Sequence, residues 1–209
     1  YIDCNIDTAD QYGSDKRIFN ANKKSNDIYN EFSNLDPLKY IGERYLSSDI
    51  ILQTTLAAKL DYKPNNLGSG QGWHRDSYSR QFKAIAYLTD VDEDSGPFEF
   101  LIGSHKKQNI VRELIATRKQ KIRPVDTRFS EEVIDMLKDK LKLQSTKVCL
   151  PAGTVFLFDA RCIHRGHPIN RGNSRYALTN YFVKRSHLKK GLTLEDPFEF
   201  SPQPKDHEE

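Results

Sequence analysis

The sequence predicts a mainly β fold with flanking helices, arranged as a double-stranded β-helix of the jelly-roll, cupin-like kind. Three observations carry that expectation. Short strand-like runs recur from residue 50 to residue 185, Gly, Pro and Asn punctuate them, and helical spacing is confined to the start and the middle of the chain. A sandwich of this kind opens at one end, so a site built there draws side chains from strands far apart in sequence.

Residues 1–50 are rich in Asp, Asn, Ser and Lys. Their apolar residues fall at helical spacing from Ile28 through Phe32 and Leu35 and, past Pro37, to Ile41 and Tyr45. This reads as a surface loop followed by two short helices that cover the sheet. The texture then changes to the strands "IILQTTLAAKLDY", "FKAIAYLTDV" and "PFEFLIG". Residues 108–119 and 130–142 return to helical patterns, which define an expected helical insertion over 107–146. Strands resume in "KVCLPAGTVFLFDARCIHRGH" and "SRYALTNYFVKR". Repeats are absent, and 209 residues fit a single domain over 1–209 with room for a real core.

With 37% hydrophobic and 29% charged residues and 21 Phe and Tyr, the chain is polar but unlike a disordered one. A net charge of +3 is too small for its sign alone to imply nucleic acid or a membrane surface, though it leaves room for local basic patches, so partners are read from the sites, which point to a small-molecule substrate. Oligomeric state is open. The three cysteines, Cys4, Cys149 and Cys162, form no short-range pairing pattern and point to a reducing compartment. No apolar run reaches the roughly 20 residues of a membrane span, and no signal segment is evident, so cytoplasm is the expected location. The first residue is Tyr1 rather than Met, and further residues are expected to precede it.

The chemistry is concentrated in "GQGWHRDSYSRQFKAIAYLTD", residues 70–90. On an extended segment His74 and Asp76 share a face while Arg75 points away, which sets an imidazole and a carboxylate roughly 7 Å apart at the backbone. A third ligand is expected from a late strand folded against this pair, and His164 in "FDARCIHRGH" meets that requirement. Two histidines and one carboxylate leave the opposite face of a metal open, the arrangement of mononuclear non-haem Fe(II) oxygenases. Arg175 follows on the next strand. Its planar guanidinium can grip a carboxylate by two parallel hydrogen bonds, so a dicarboxylate held by iron at one end and Arg175 at the other would fit.

These motifs resemble the phytanoyl-CoA dioxygenase-like Fe(II)/2-oxoglutarate oxygenases, which include ectoine hydroxylase. The likeness lies in "WHRD" at 73–76, "DSGPFEFLIGSHK" at 94–106, "AGTVFLFDARCIHRG" at 152–166 and Arg175 eleven residues after His164. A weaker match is "KLDYKP" at 59–64. The resemblance implies that His74, Asp76 and His164 bind Fe(II), that Arg175 holds the distal carboxylate of 2-oxoglutarate, and that Lys59 contacts the same cosubstrate. It implies a dioxygenase that consumes O2, releases succinate and CO2, and hydroxylates a small polar metabolite, a sugar or an acyl conjugate. Desaturation and epimerisation use the same iron chemistry and stay open. So does a different class, a metal- or ligand-binding jelly roll without redox activity. Gly166 departs from relatives that carry a hydroxyl residue there. Halogenating relatives replace the carboxylate with a small residue, so Asp76 favours oxygen transfer.

Other candidates carry blander readings. His105 suits a turn, His167 a solvent-facing position, Trp73 the core, and Cys162 a buried thiol. Lys83 shares a face with Ile85 and Tyr87, and on a cavity wall it requires an acidic partner or an anionic ligand. The basic run "KRSHLKK" at 184–190 reads as a solvated edge.

Overall fold

The computed structural model describes residues 1–118, 127–172 and 174–186. A 3-10 turn over Ile2–Cys4 comes first, followed by two short strands, β1 (Thr8–Ala9) and β2 (Asp15–Ile18). The helices α1 (Ala21–Lys24), α2 (Asn26–Ile28, continued by a π-helical turn over Tyr29–Ser33) and α3 (Asp36–Leu46) follow. Next come β3 (Ile50–Leu60), β4 (Phe82–Tyr87), β5 (Phe98–Leu101), α4 (Lys107–Thr117) and α5 (Glu131–Leu141). The strands β6 (Ser145–Val148), β7 (Val155–Asp159), β8 (His164–Gly166) and β9 (Arg175–Lys184) complete the described chain. The expected strands from residue 50 onward and both middle helices are therefore present. The first 50 residues differ from their reading as loop and helices, because they also contribute β1 and β2 to the large sheet.

That sheet has the order β1-β2-β3-β9-β4-β7, and a smaller one has the order β6-β5-β8, with every pairing antiparallel. The smaller sheet is extended by isolated bridges from His164 to His74 and from His74 to Arg128. Residues of successive parity point to opposite faces, which sorts the packing into three clusters. On the outer face of the large sheet, Ile18, Ala57, Phe82, Ala84, Leu178 and Phe182 bury against Phe32, Leu38 and Leu46 of the N-terminal cover. Between the sheets, Ile85, Tyr87, Phe98 and Ala177 form an inner core flanked by Phe156 and Phe158. On the far side of the smaller sheet, Trp73, Leu101, Phe129 and Ile163 pack on Val133, Ile134 and Leu137 of α5. Burial of these apolar faces, at about 25 cal/mol per Å², is what holds the layers together.

Local sequence explains the helix ends. The Ser130 side chain accepts from the backbone of Val133, and Glu131 and Glu132 occupy the first turn of α5 while Lys138 and Lys140 occupy the last, in line with the helix dipole. Pro37 sits at the start of α3, where its missing N–H costs nothing.

Candidate metal centre

His74 and His164 lie on neighbouring extended segments that exchange both backbone hydrogen bonds, each N–H donating to the other's carbonyl at 2.8 Å. That register puts both imidazoles on the inner face, with ring centroids 4.3 Å apart. Asp76, two residues on, joins them: its Oδ1 is 3.5 Å from His74 Nε2 and its Oδ2 is 3.6 Å from His164 Nε2. One ligand atom from each of the three residues falls within 4.8 Å of the others, close enough to hold a metal ion.

The donor chemistry fits such an ion. His74 Nδ1 lies 2.9 Å from the carbonyl of Gly72, and His164 Nδ1 lies 2.8 Å from that of Cys162. A carbonyl only accepts, so each Nδ1 carries the proton and each Nε2 presents a lone pair inward. Burial lowers the pKa of both rings, that of His164 to about 3, with neighbouring His74 adding to the effect. Both imidazoles are therefore neutral at physiological pH, as metal ligation requires. Burial alone would raise the Asp76 carboxyl, but the Lys83 ammonium beside it, followed by the two imidazoles, holds it well below the ordinary range. His164 sits at the bottom of the site at 5% exposure, and the Asp76 side chain, at 25%, marks the opening.

Lys83 has the acidic partner its position demands: Nζ donates to Asp76 Oδ2 and also lies 3.8 Å from the centroid of the Tyr181 ring. Arg175 stands on the same inner face of the large sheet, opposite Leu60 of β3. It is buried, donates Nη1 to the carbonyl of Gly96, and has no partner for Nε. Among the described residues no carboxylate pairs with it, and burial lowers its pKa. A buried guanidinium with an unused edge is a site prepared for an anion. Lys59 is not brought to this face. It stands opposite Tyr176, on the outer side of β3, where Nζ is 2.8 Å from Asp3 and 3.5 Å from Asp61.

The glycine-rich turn is shaped around the histidine. Gly70 has φ +81°, and a Cβ placed there would run into the His74 ring at Cε1. Gly70→Ala is therefore expected to destabilise the fold by about 1–3 kcal/mol and to weaken metal binding by displacing the imidazole. Thermal unfolding with and without nickel checks both, since a purely structural effect would lower Tm without narrowing the nickel-induced shift. At Gly166, Ser69 occupies the space a side chain would take: its Cβ is 2.6 Å from where a Cβ at 166 would stand.

The remaining candidates fall outside the cluster. Trp73 and Cys162 are buried. His105 is half-buried and apart from the triad, and His167 is half-buried rather than solvent-facing, its Nδ1 lying 3.2 Å from the Pro168 carbonyl. Of the basic run, Arg185 pairs with Asp49, and residues 187–190 lie outside the described residues. No helix among the described residues is long and apolar enough to cross a membrane. Sequence reasoning missed Arg75. It is 1% exposed and points away from the metal face. Its guanidinium donates to Glu113 of α4 and to the carbonyls of Arg161 and Ser104.

Comparison with known proteins agrees with this geometry. A family model described as phytanoyl-CoA dioxygenase (PhyH) matches residues 10–177. No curated protein matches the chain in sequence. Among solved structures, the epimerase SnoN from nogalamycin biosynthesis, in complex with Fe3+, alpha ketoglutarate and nogalamycin RO, aligns with TM-score 0.61 at 16% identity, covering 82% of this chain and 64% of SnoN. The non-haem alpha ketoglutarate dependent carbocyclase SnoK from the same biosynthesis aligns with TM-score 0.60 at 17% identity, covering 92% of this chain and 76% of SnoK. HygX from Streptomyces hygroscopicus, with nickel, 2-oxoglutarate and hygromycin B bound, gives 0.59 at 14% identity, covering 86% and 74%. The chain spans less than two thirds of the length of SnoN. At these identities the structural likeness establishes the fold, a double-stranded β-helix.

Proposed function

The chain belongs to the phytanoyl-CoA dioxygenase family, and on that premise we propose that it is an Fe(II)/2-oxoglutarate-dependent oxygenase that hydroxylates a small organic substrate and releases succinate and CO2. The observation that carries the reading is the convergence of His74 Nε2, His164 Nε2 and the Asp76 carboxylate on one inner face, with both Nδ1 protons committed to carbonyls. In this reading these three residues hold Fe(II). Bound there, Fe(II) would supply the dioxygen chemistry that couples decarboxylation of the cosubstrate to oxidation of the substrate.

The chain's own groups do the rest. Lys83 keeps Asp76 ionised through Oδ2 while Oδ1 faces His74. Arg175 receives the distal carboxylate of 2-oxoglutarate through the edge that bears its unpaired Nε. Phe98, whose ring is 5.1 Å from that of His164, and Phe158, at 5.4 Å, wall the site with apolar surface and exclude water from its base. Lys59, engaged with Asp3 and Asp61, has no part in this assignment.

The test is Arg175→Lys. The ammonium keeps the charge but loses the fork, so the KM for 2-oxoglutarate is expected to rise about tenfold or more while nickel affinity stays within error. Succinate formation against 2-oxoglutarate concentration reads the first and calorimetric titration the second. An unchanged KM would mean that another cation holds the carboxylate.

A further inference from the structure

We propose that the mouth of this site binds an anionic group of the substrate, a phosphate or carboxylate, through the guanidinium of Arg128. The inference rests on the oxygenase reading above and names a substrate class for it. Arg128 lies in an extended segment that runs beside the metal-binding one: the Arg75 N–H donates to the Thr127 carbonyl, and the Phe129 N–H donates to that of Trp73. This register sets Arg128 opposite His74, as His74 is opposite His164. Residues paired across antiparallel strands share a face. The neighbours confirm the alternation, since Trp73, Phe129 and Ile163 all bury on the opposite side against α5. His164, His74 and Arg128 thus form one row on the inner face, with the deepest ligand at one end and an exposed guanidinium at the other.

The local charges single out Arg128. Among the described residues, Lys83, Arg175, Arg17 and Arg128 are cations on this face or at its mouth. Lys83 is bound to Asp76, and Arg17 of β2 is bound to Asp15 at 2.6 Å. Asp10, which accepts from Gln71 of the glycine-rich turn, is held by Ser14 and the backbone of Asp15 as well. Arg175 is assigned to the cosubstrate. Arg128 has no carboxylate partner among the described residues and donates Nη1 to the carbonyls of Gly70 and Gln71, at 2.8 and 3.2 Å. These bonds anchor the side chain to the turn that leads into His74 without neutralising its charge. Burial lowers its pKa and the charge of Arg17 adds to that, while Asp76 opposes it, so the group feels both sides of the site. With a divalent metal, a doubly charged 2-oxoglutarate and the Lys83–Asp76 and Arg17–Asp15 pairs each neutral, the guanidiniums of Arg175 and Arg128 leave the site positive, and Arg175 is the one assigned to the cosubstrate, so Arg128 is available to the substrate. A planar fork beside the reaction centre would orient a carboxylate or a phosphate through paired hydrogen bonds.

The experiment titrates matched probes into the full chain loaded with nickel and 2-oxoglutarate: phenyl phosphate, benzoate and the neutral benzyl alcohol. Each protein is titrated after loading has been verified. One or both anions should bind the unaltered protein about tenfold or more tightly than the alcohol, the scale of a charge-assisted hydrogen bond. The stronger of the two identifies phosphate or carboxylate as the group recognised. Arg128→Gln should erase the preference, and Arg128→Lys should keep part of it. A merely structural role in tethering the turn would weaken all three probes alike and overturn the proposal. So would equal binding of neutral and anionic probes by the unaltered protein, or a preference that survives in Arg128→Gln. Failure of the unaltered protein to take up nickel and 2-oxoglutarate would instead remove the oxygenase reading itself, an outcome seen before any probe is added.

Discussion

Asp76→Asn is expected to reduce affinity for Fe(II) or nickel by more than about 100-fold, beyond the 10- to 100-fold typical of groups that only support a ligand, and to abolish succinate formation. The amide removes the one anionic ligand of the set but still offers an oxygen to Lys83, so the chain should stay folded. Asp76→Ala is a harsher change. Lys83 is buried, and without Asp76 its ammonium loses its acidic partner. The alanine variant should therefore lose stability as well as metal, while Asp76→Ala/Lys83→Met should recover stability and leave the metal affinity lost. Calorimetric titration of nickel together with thermal unfolding separates the two effects. Retention of full metal affinity in Asp76→Asn would remove this carboxylate from the site.

The second large effect concerns the residue between the ligands. Arg75 and Glu113 are both nearly inaccessible, and their ion pair joins the metal-binding segment to α4. Burial pushes the Glu113 carboxyl up and Arg75 draws it back, so removing Arg75 strands a carboxyl that must take up a proton or stay charged in an apolar setting. Arg75→Met should cost about 3–5 kcal/mol of stability, and metal affinity should fall with it because His74 and Asp76 flank the altered residue. Arg75→Met/Glu113→Leu should regain most of the stability, since an apolar pair can replace a buried ionic one. Denaturant unfolding of the two single variants and the double variant closes the cycle. Additive losses would show that the pair is not coupled.

Much of this site is legible in the sequence because it follows the period of an extended chain. His74 and Asp76 share a face by spacing alone, and the strand character of "FDARCIHRGH" brings His164 alongside. Of the later strands, β3, β4, β5, β7 and β9 are equally readable, being long or strongly apolar between turn residues, whereas β6 ("STKV") and β8 ("HRG") are short and polar. The first strands are not. β1 and β2 are two and four residues long, and β2 reads "DKRI", with Asp15 and Arg17 on the inner face, the reverse of the apolar-inward pattern that marks a strand. Only pairing with β3 reveals it. Lys59 shows the cost of a one-residue offset: its neighbour Leu60 stands opposite Arg175 on the inner face, so Lys59 points outward. Arg128 carries no motif, and its place beside His74 comes from a cross-strand pairing that spacing does not encode.

The central claim is that His74, Asp76 and His164 hold an iron to which 2-oxoglutarate binds. Its most direct measurement is the visible absorption of the protein with Fe(II) and 2-oxoglutarate in the absence of air, followed by admission of O2. A weak charge-transfer band is expected that needs both additions, is lost in Asp76→Asn, and gives way to succinate once O2 enters. Binding of Fe(II) with no such band and no succinate would contradict it and leave a metal-binding jelly roll without oxygenase chemistry.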